Sequence, residues 1–85
     1  MSALSQEQMS VVDALFKQHI GHVTVRAAGD KPLRATVLFT GGSGKDFMSK
    51  FKPLEEMGFN VDGYRIKGDG NGYAEIKLPM WAAGV

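Results

Sequence analysis

At 85 residues, with no cysteine and a formal charge of +1, the chain has room for one modest hydrophobic core. It has no disulfides, thiolate zinc sites or cysteine nucleophiles, and no global charge that would draw it to nucleic acid. Hydrophobic residues at 44%, charged residues at 22%, 11 glycines and 3 prolines carry none of the bias that marks disorder. Residues 1–85 are therefore read as a single α+β domain. The first residues lack the basic and apolar segments of a secretory signal, and no run approaches the ~20 apolar residues of a membrane span. The expectation is a cytoplasmic protein without a membrane segment.

Ser5-Gln6-Glu7-Gln8 reads as a capping box, with Leu4 and Met9 placed for a hydrophobic staple. Met9, Val12, Leu15, Phe16 and His19 then repeat at helical spacing until Gly21, which predicts a first helix over residues 6–20. Residues 22–28 alternate with Val23, Val25 and Ala27 on one face, and residues 33–40 with Leu33, Ala35, Val37 and Phe39. The turn residues Gly29-Asp30-Lys31-Pro32 between them predict an antiparallel hairpin. After the loop Gly41-Gly42-Ser43-Gly44, the stripe Phe47, Met48, Phe51, Leu54 and Met57 predicts a second helix. Ser43 and Asp46 suit its cap, and a break is expected at Pro53, which cannot donate the helix hydrogen bond.

Residues 59–67 form a third strand in which Phe59 and Val61 are out of phase with Tyr64 and Ile66, so a bulge is expected at Gly63. Past the turn 68–72, residues 73–78 alternate with Ala74, Ile76 and Leu78 inward. The tail 79–85, with Trp81, is apolar. The order is αββαββ, a four-stranded antiparallel sheet with two helices on one face. Taken cyclically it resembles the ferredoxin-like βαββαβ plait, which implies strands two and four at the centre and one and three at the edges. A fold resemblance of this kind assigns no function.

Several groups of residues have the chemistry of a site. Thr40 to Asp46 lies where a phosphate loop would, and Gly42, Ser43, Gly44 and Lys45 could hold an anion. Phe39 and Asp46 replace the first glycine and the Ser or Thr of the Walker pattern, so nucleotide hydrolysis is not expected. His19 and His22 straddle a helix end with no further ligands nearby, and no metal site is expected. Glu55, Glu56 and Asp13 read as solvated helix residues, no triad spacing is visible, and neither catalysis nor a cofactor is expected.

The sheet face away from the helices should carry His22, Thr24 and Arg26 from strand one, Arg34, Thr36 and Leu38 from strand two, and Tyr73, Glu75 and Lys77 from strand four, with Tyr64 drawn from strand three. Its bland reading is a solvated face with cross-strand pairs such as Arg34 with Glu75. Arginines, lysine and tyrosine on an open sheet also suit a protein partner or single-stranded nucleic acid. Trp81 is either a cap on its own core or an anchor for a partner or a second copy, and the interface is the reading slightly preferred. The primary expectation is a non-enzymatic regulatory or inhibitor-type protein acting by protein contact, of the size common among proteins of mobile elements. Nucleic-acid binding on the sheet face is second, and an anion at the glycine loop is third.

Overall fold

The computed structural model describes residues 6–29, 31 and 33–83. Helix α1, Gln6–His19, turns Val12 and Phe16 into the core, with Met9 and Leu15 half-buried beside them. It ends where expected, at Gly21, whose φ of 120° favours glycine. The expected capping box and staple depend on Leu4 and Ser5, which lie outside the described residues. So do Asp30 and Pro32 of the first hairpin turn.

Four strands follow the predicted alternation: β1 is Val23–Ala27, β2 Arg34–Phe39, β3 Asn60–Ile66 and β4 Gly72–Lys77. All three pairings are antiparallel and the order is β1-β2-β4-β3. β2 and β4 are thus central and β1 and β3 are edges, as the cyclic reading predicts. The agreement with the plait is one of class and strand order. In β3 the register skips Asp62 between Val61 and Gly63, the expected bulge. It lets both Val61 and Tyr64 point to the helix side, opposite the buried Ile76 and Ala74.

Helix α2, Phe47–Glu56, corrects two expectations. It runs through Pro53 without a break. The ring deprives the Ser49 carbonyl of a donor, but both residues are exposed, so water can take its place, and only one turn follows that has to adapt. Its N-cap is Asp46, in the left-handed region with φ 58° and ψ 26° and no side-chain cap bond. Ser43 does not cap the helix: its hydroxyl donates to the His22 carbonyl at 2.6 Å and is buried there. At the other end Gly58 N–H bonds the Glu55 carbonyl at 3.0 Å and Phe59 N–H the Leu54 carbonyl at 3.1 Å, with Gly58 at φ 105°. This is the Schellman arrangement that glycine after a helix favours.

The core lies between this helix layer and one face of the sheet. Phe16, Phe39, Phe47, Phe51 and Phe59, every phenylalanine in the chain, touch one another in a continuous row. Centroid separations run from 5.0 Å (Phe39–Phe47) to 6.2 Å (Phe16–Phe51), mostly edge-on or tilted as ring quadrupoles prefer. Val37, Ala74 and Ile76 close the row from the central strands. Met48 and Met57, part of the apolar spacing that predicts α2, are exposed; the buried stripe of α2 is Phe47, Phe51 and Leu54. Among the described residues no helix is long and apolar enough to cross a membrane.

Two further contacts hold the frame. β1 is an edge strand, and because His22 and Ala28 bond toward β2, alternation turns the amides of Val23, Val25 and Ala27 outward. The Val25 amide is met by the Asp13 carboxylate of α1 at 2.9 Å. At the far end of the sheet two glycine loops interlock. Gly42 N–H donates to Asn71 Oδ1 at 3.0 Å and Gly44 N–H to the Gly70 carbonyl at 2.7 Å.

Candidate functional site

Among the described residues no helix covers the second face of the sheet, and the strand register arranges its side chains in rows. Thr24, Leu38, Tyr73 and Arg65 follow one another across all four strands. Beside them run Arg26, Thr36 and Glu75 with Gly63 at the edge, and then Arg34, Lys77 and Asn60. Leu38 and Tyr73, directly opposite on the central strands, make the apolar centre, with Tyr73 41% exposed. Arg65 stands in its row, Arg26 one row over, and Arg34 and Lys77 two rows over on that same side.

Four basic side chains (Arg26, Arg34, Arg65, Lys77) stand on this face against the carboxylates of Asp62 and Glu75, a net of +2 in a chain whose total is +1. The positive excess of the whole molecule therefore sits here. Arg34 forms its ion pair with Asp62, reaching over β4 to the bulge. The expected partner, Glu75, stands opposite Thr36. Being the extra residue of the bulge, Asp62 is free of strand alternation, and its carboxylate reaches the open face.

The structure thus brings together Arg26, Arg34, Tyr73 and Lys77 of the expected set and separates two others from it. Tyr64 is on the helix side of edge strand β3, its ring 6.0 Å from that of Phe47, although 55% of it is exposed. The phase switch at the bulge that was read from the sequence is what puts it there. Trp81 lies in the 3-10 helix Met80–Ala83, its Nε1 donating to the Met57 carbonyl at 2.9 Å and its ring edge-on to Phe59 at 5.6 Å. It folds back on its own chain yet remains 48% exposed. With Met57 and Met80 it forms a second exposed apolar patch, on the helix side.

Arg65 joins Arg26, Arg34, Tyr73 and Lys77 on the open face, although it is not among the expected residues. Its signal is present, since past the bulge at Asp62 the alternation puts Gly63 and Arg65 on the face opposite Tyr64.

The glycine loop offers little to an anion. The amides of Gly42, Ser43, Gly44, Lys45 and Phe47 all donate to acceptors of the protein itself, so those that would cradle a phosphate are engaged. Among the described residues no three His, Cys, Asp or Glu side chains gather as metal ligands. An open hollow of about 170 Å³ lies between α1 and β1, lined by Gln6, Met9, Ser10, Asp13, Thr24 and Val25. Its one carboxylate, Asp13, is already bonded to Lys17 and to the Val25 amide. Burial works to raise the Asp13 pKa, but the hydrogen bonds from Lys17 and Val25 and the Lys17 charge outweigh it and hold the carboxyl below its ordinary value.

No protein-family model, curated protein or solved structure matches the chain. The functional reading therefore rests on the open face, where side chains that could be satisfied by a partner stand in one register-fixed array.

Proposed function

We propose that this domain is a non-enzymatic binding protein that acts by contact with a protein partner, through the open face of its sheet. The observation that carries the reading is the Leu38–Tyr73 pair on a face that no described helix covers, with Arg65 in its row, Arg26 one row over, and Arg34 and Lys77 two rows over on that same side. An apolar centre with a polar, hydrogen-bonding rim is the anatomy of a contact surface, and tyrosine and arginine are the residue types such surfaces favour. Strand register fixes where each group leaves the sheet, while the exposed Arg and Lys side chains still lose rotamer freedom on binding.

A single-stranded nucleic acid is the competing partner. Against it stand Glu75 within the array and Asp62 on Arg34, carboxylates that a phosphate chain would have to pass, and a single aromatic ring where stacking platforms use several.

The test is affinity capture from native lysate with mass spectrometry, run with the unaltered protein and with Leu38→Ser/Tyr73→Ser, and repeated after nuclease treatment. Proteins retained by the first, lost with the second and insensitive to nuclease support the reading. A captured set unchanged by the double substitution overturns it, and loss of every partner on nuclease treatment transfers the face to nucleic acid.

A further inference from the structure

Resting on the reading of the open face as a contact surface, we infer that the surface it takes is an acidic one: a protein segment with Asp or Glu side chains flanking an apolar or aromatic residue. The argument is charge complementarity fixed by register. Arg65 and Arg26 lie on the two edge strands, Arg65 beside Tyr73 and Arg26 one row over from Leu38. An apolar side chain seated on Leu38 and Tyr73 would therefore have a guanidinium on either side.

Arg26 and Arg65 have no carboxylate opposite them: Arg26 faces Thr36, and Arg65 faces Tyr73. Arg34, by contrast, is held by Asp62. Guanidinium groups with unfilled donors, carried on strands whose register sets their spacing, are well suited to bidentate bonds with carboxylates. The rest of the molecule, with a net charge of −1 once the face's +2 is taken from the total, exerts no comparable attraction. The same excess argues against a second copy laid face to face, since two surfaces of one sign repel. Glu75 next to the centre disfavours a uniform polyanion and suits a partner that mixes carboxylates with apolar groups.

The experiment is amide and side-chain NMR titration of the full chain with four labelled probes. These are a 12-residue peptide with a central Phe flanked by Glu, the same peptide with Lys for Glu, the same with Ser for Glu, and a 12-nucleotide oligothymidylate. The expected result is saturable shifts at Arg26, Leu38, Arg65 and Tyr73 with the Glu peptide alone, weakening steeply with salt as exposed charge attractions do. Arg26→Glu/Arg65→Glu should weaken binding of this peptide about tenfold or more. Lys50→Glu/Lys52→Glu on α2, an equal change in net charge away from the face, should leave it within about twofold. Arg26→Gln/Arg65→Gln removes the attraction without adding repulsion and should give an intermediate loss, which keeps the test sound if the reversed pair disturbs the fold.

Equal binding of the Ser and Glu peptides on this face overturns the inference while leaving the contact surface standing. Shifts confined to other residues, or none with any peptide, overturn the contact surface itself. Binding of the oligothymidylate in preference to the Glu peptide assigns the face to nucleic acid and overturns both.

Discussion

A methyl group is enough to test the junction of the two glycine loops. A Cβ on Gly44 would run into the Gly70 carbonyl oxygen, which is backbone and cannot swing aside, and would press on Ile66 as well. Gly63, in an edge strand, has nothing near its would-be Cβ and no left-handed φ. Gly44→Ala should therefore cost about 1–3 kcal/mol, the range for forcing extra volume into a packed site, and lower the melting temperature by several degrees. Gly63→Ala should be neutral or stabilising by up to about 1 kcal/mol, because alanine narrows the unfolded ensemble. Urea unfolding of both variants checks the contrast, and equal effects would show that the loop junction is looser than its hydrogen bonds indicate.

Ser43, in the same loop, is drawn away from the helix it precedes. A serine before a helix is a good cap in isolation, but the buried hydroxyl bonds the His22 carbonyl across the sheet, a partner 21 residues away that no local pattern reveals.

At the scale of elements, the contact between α1 and β1 makes the edge of the sheet sensitive to pH. The Asp13 carboxyl is held below its ordinary value by Lys17 and the Val25 amide despite burial that pushes the other way. A group whose pKa is depressed in the folded state contributes stability that is fully present above the unfolded-state value of about 3.9 and is lost as pH falls through the folded value. Stability measured by urea unfolding between neutral pH and strong acid should accordingly fall more in the unaltered protein than in Asp13→Asn. The amide oxygen can still accept from Val25 but does not titrate in this range. Identical curves would mean that the carboxylate at the edge contributes nothing that depends on its charge.

Elements were the most legible level of this chain. Alternation in residues 22–28, 33–40 and 73–78 locates both central strands and one edge to within a residue at each end, and the phase fault near Gly63 locates the bulge. What sequence hid was tertiary. Pro53 stays inside α2 because both its ring and the carbonyl it deprives face solvent, and the apolar spacing of Met48 and Met57 did not reveal that helix and sheet leave them outside. On the candidate site, residues of the central strands were placed correctly by parity. Tyr64, Arg65 and Asp62 required the parity to be carried through the bulge, and the Arg34–Asp62 pair required the strand order as well.

For the whole molecule, the exposed sheet face and the half-exposed Trp81 patch lie in different layers, so a partner on the first leaves the second free. Each αββ half contributes a helix and two strands, and neither can bury its apolar face without the other: Phe16 of the first half packs on Phe51 and Phe59 of the second. The halves join in the sheet along one line, β2 against β4, with residues 34–39 opposite 72–77.

That line sets the order of events as the chain folds. Each outer pair is a hairpin and can close quickly, whereas the central pair must bring together residues far apart in sequence before any contact offsets the lost chain entropy. Val37, fully buried and opposite both Val25 and Ala74, sits on that slow step. Val37→Ala should slow refolding in stopped-flow measurements, while Trp81→Ala, at the rim of the core, should mainly speed unfolding. If the whole effect of Val37→Ala falls on the unfolding rate, the halves meet elsewhere first. If the order is as described, a chain stalled before β2 and β4 meet carries two hairpins with bare inner edges, and that short-lived species, more than the native state, is the one prone to pairing with its neighbours at high concentration.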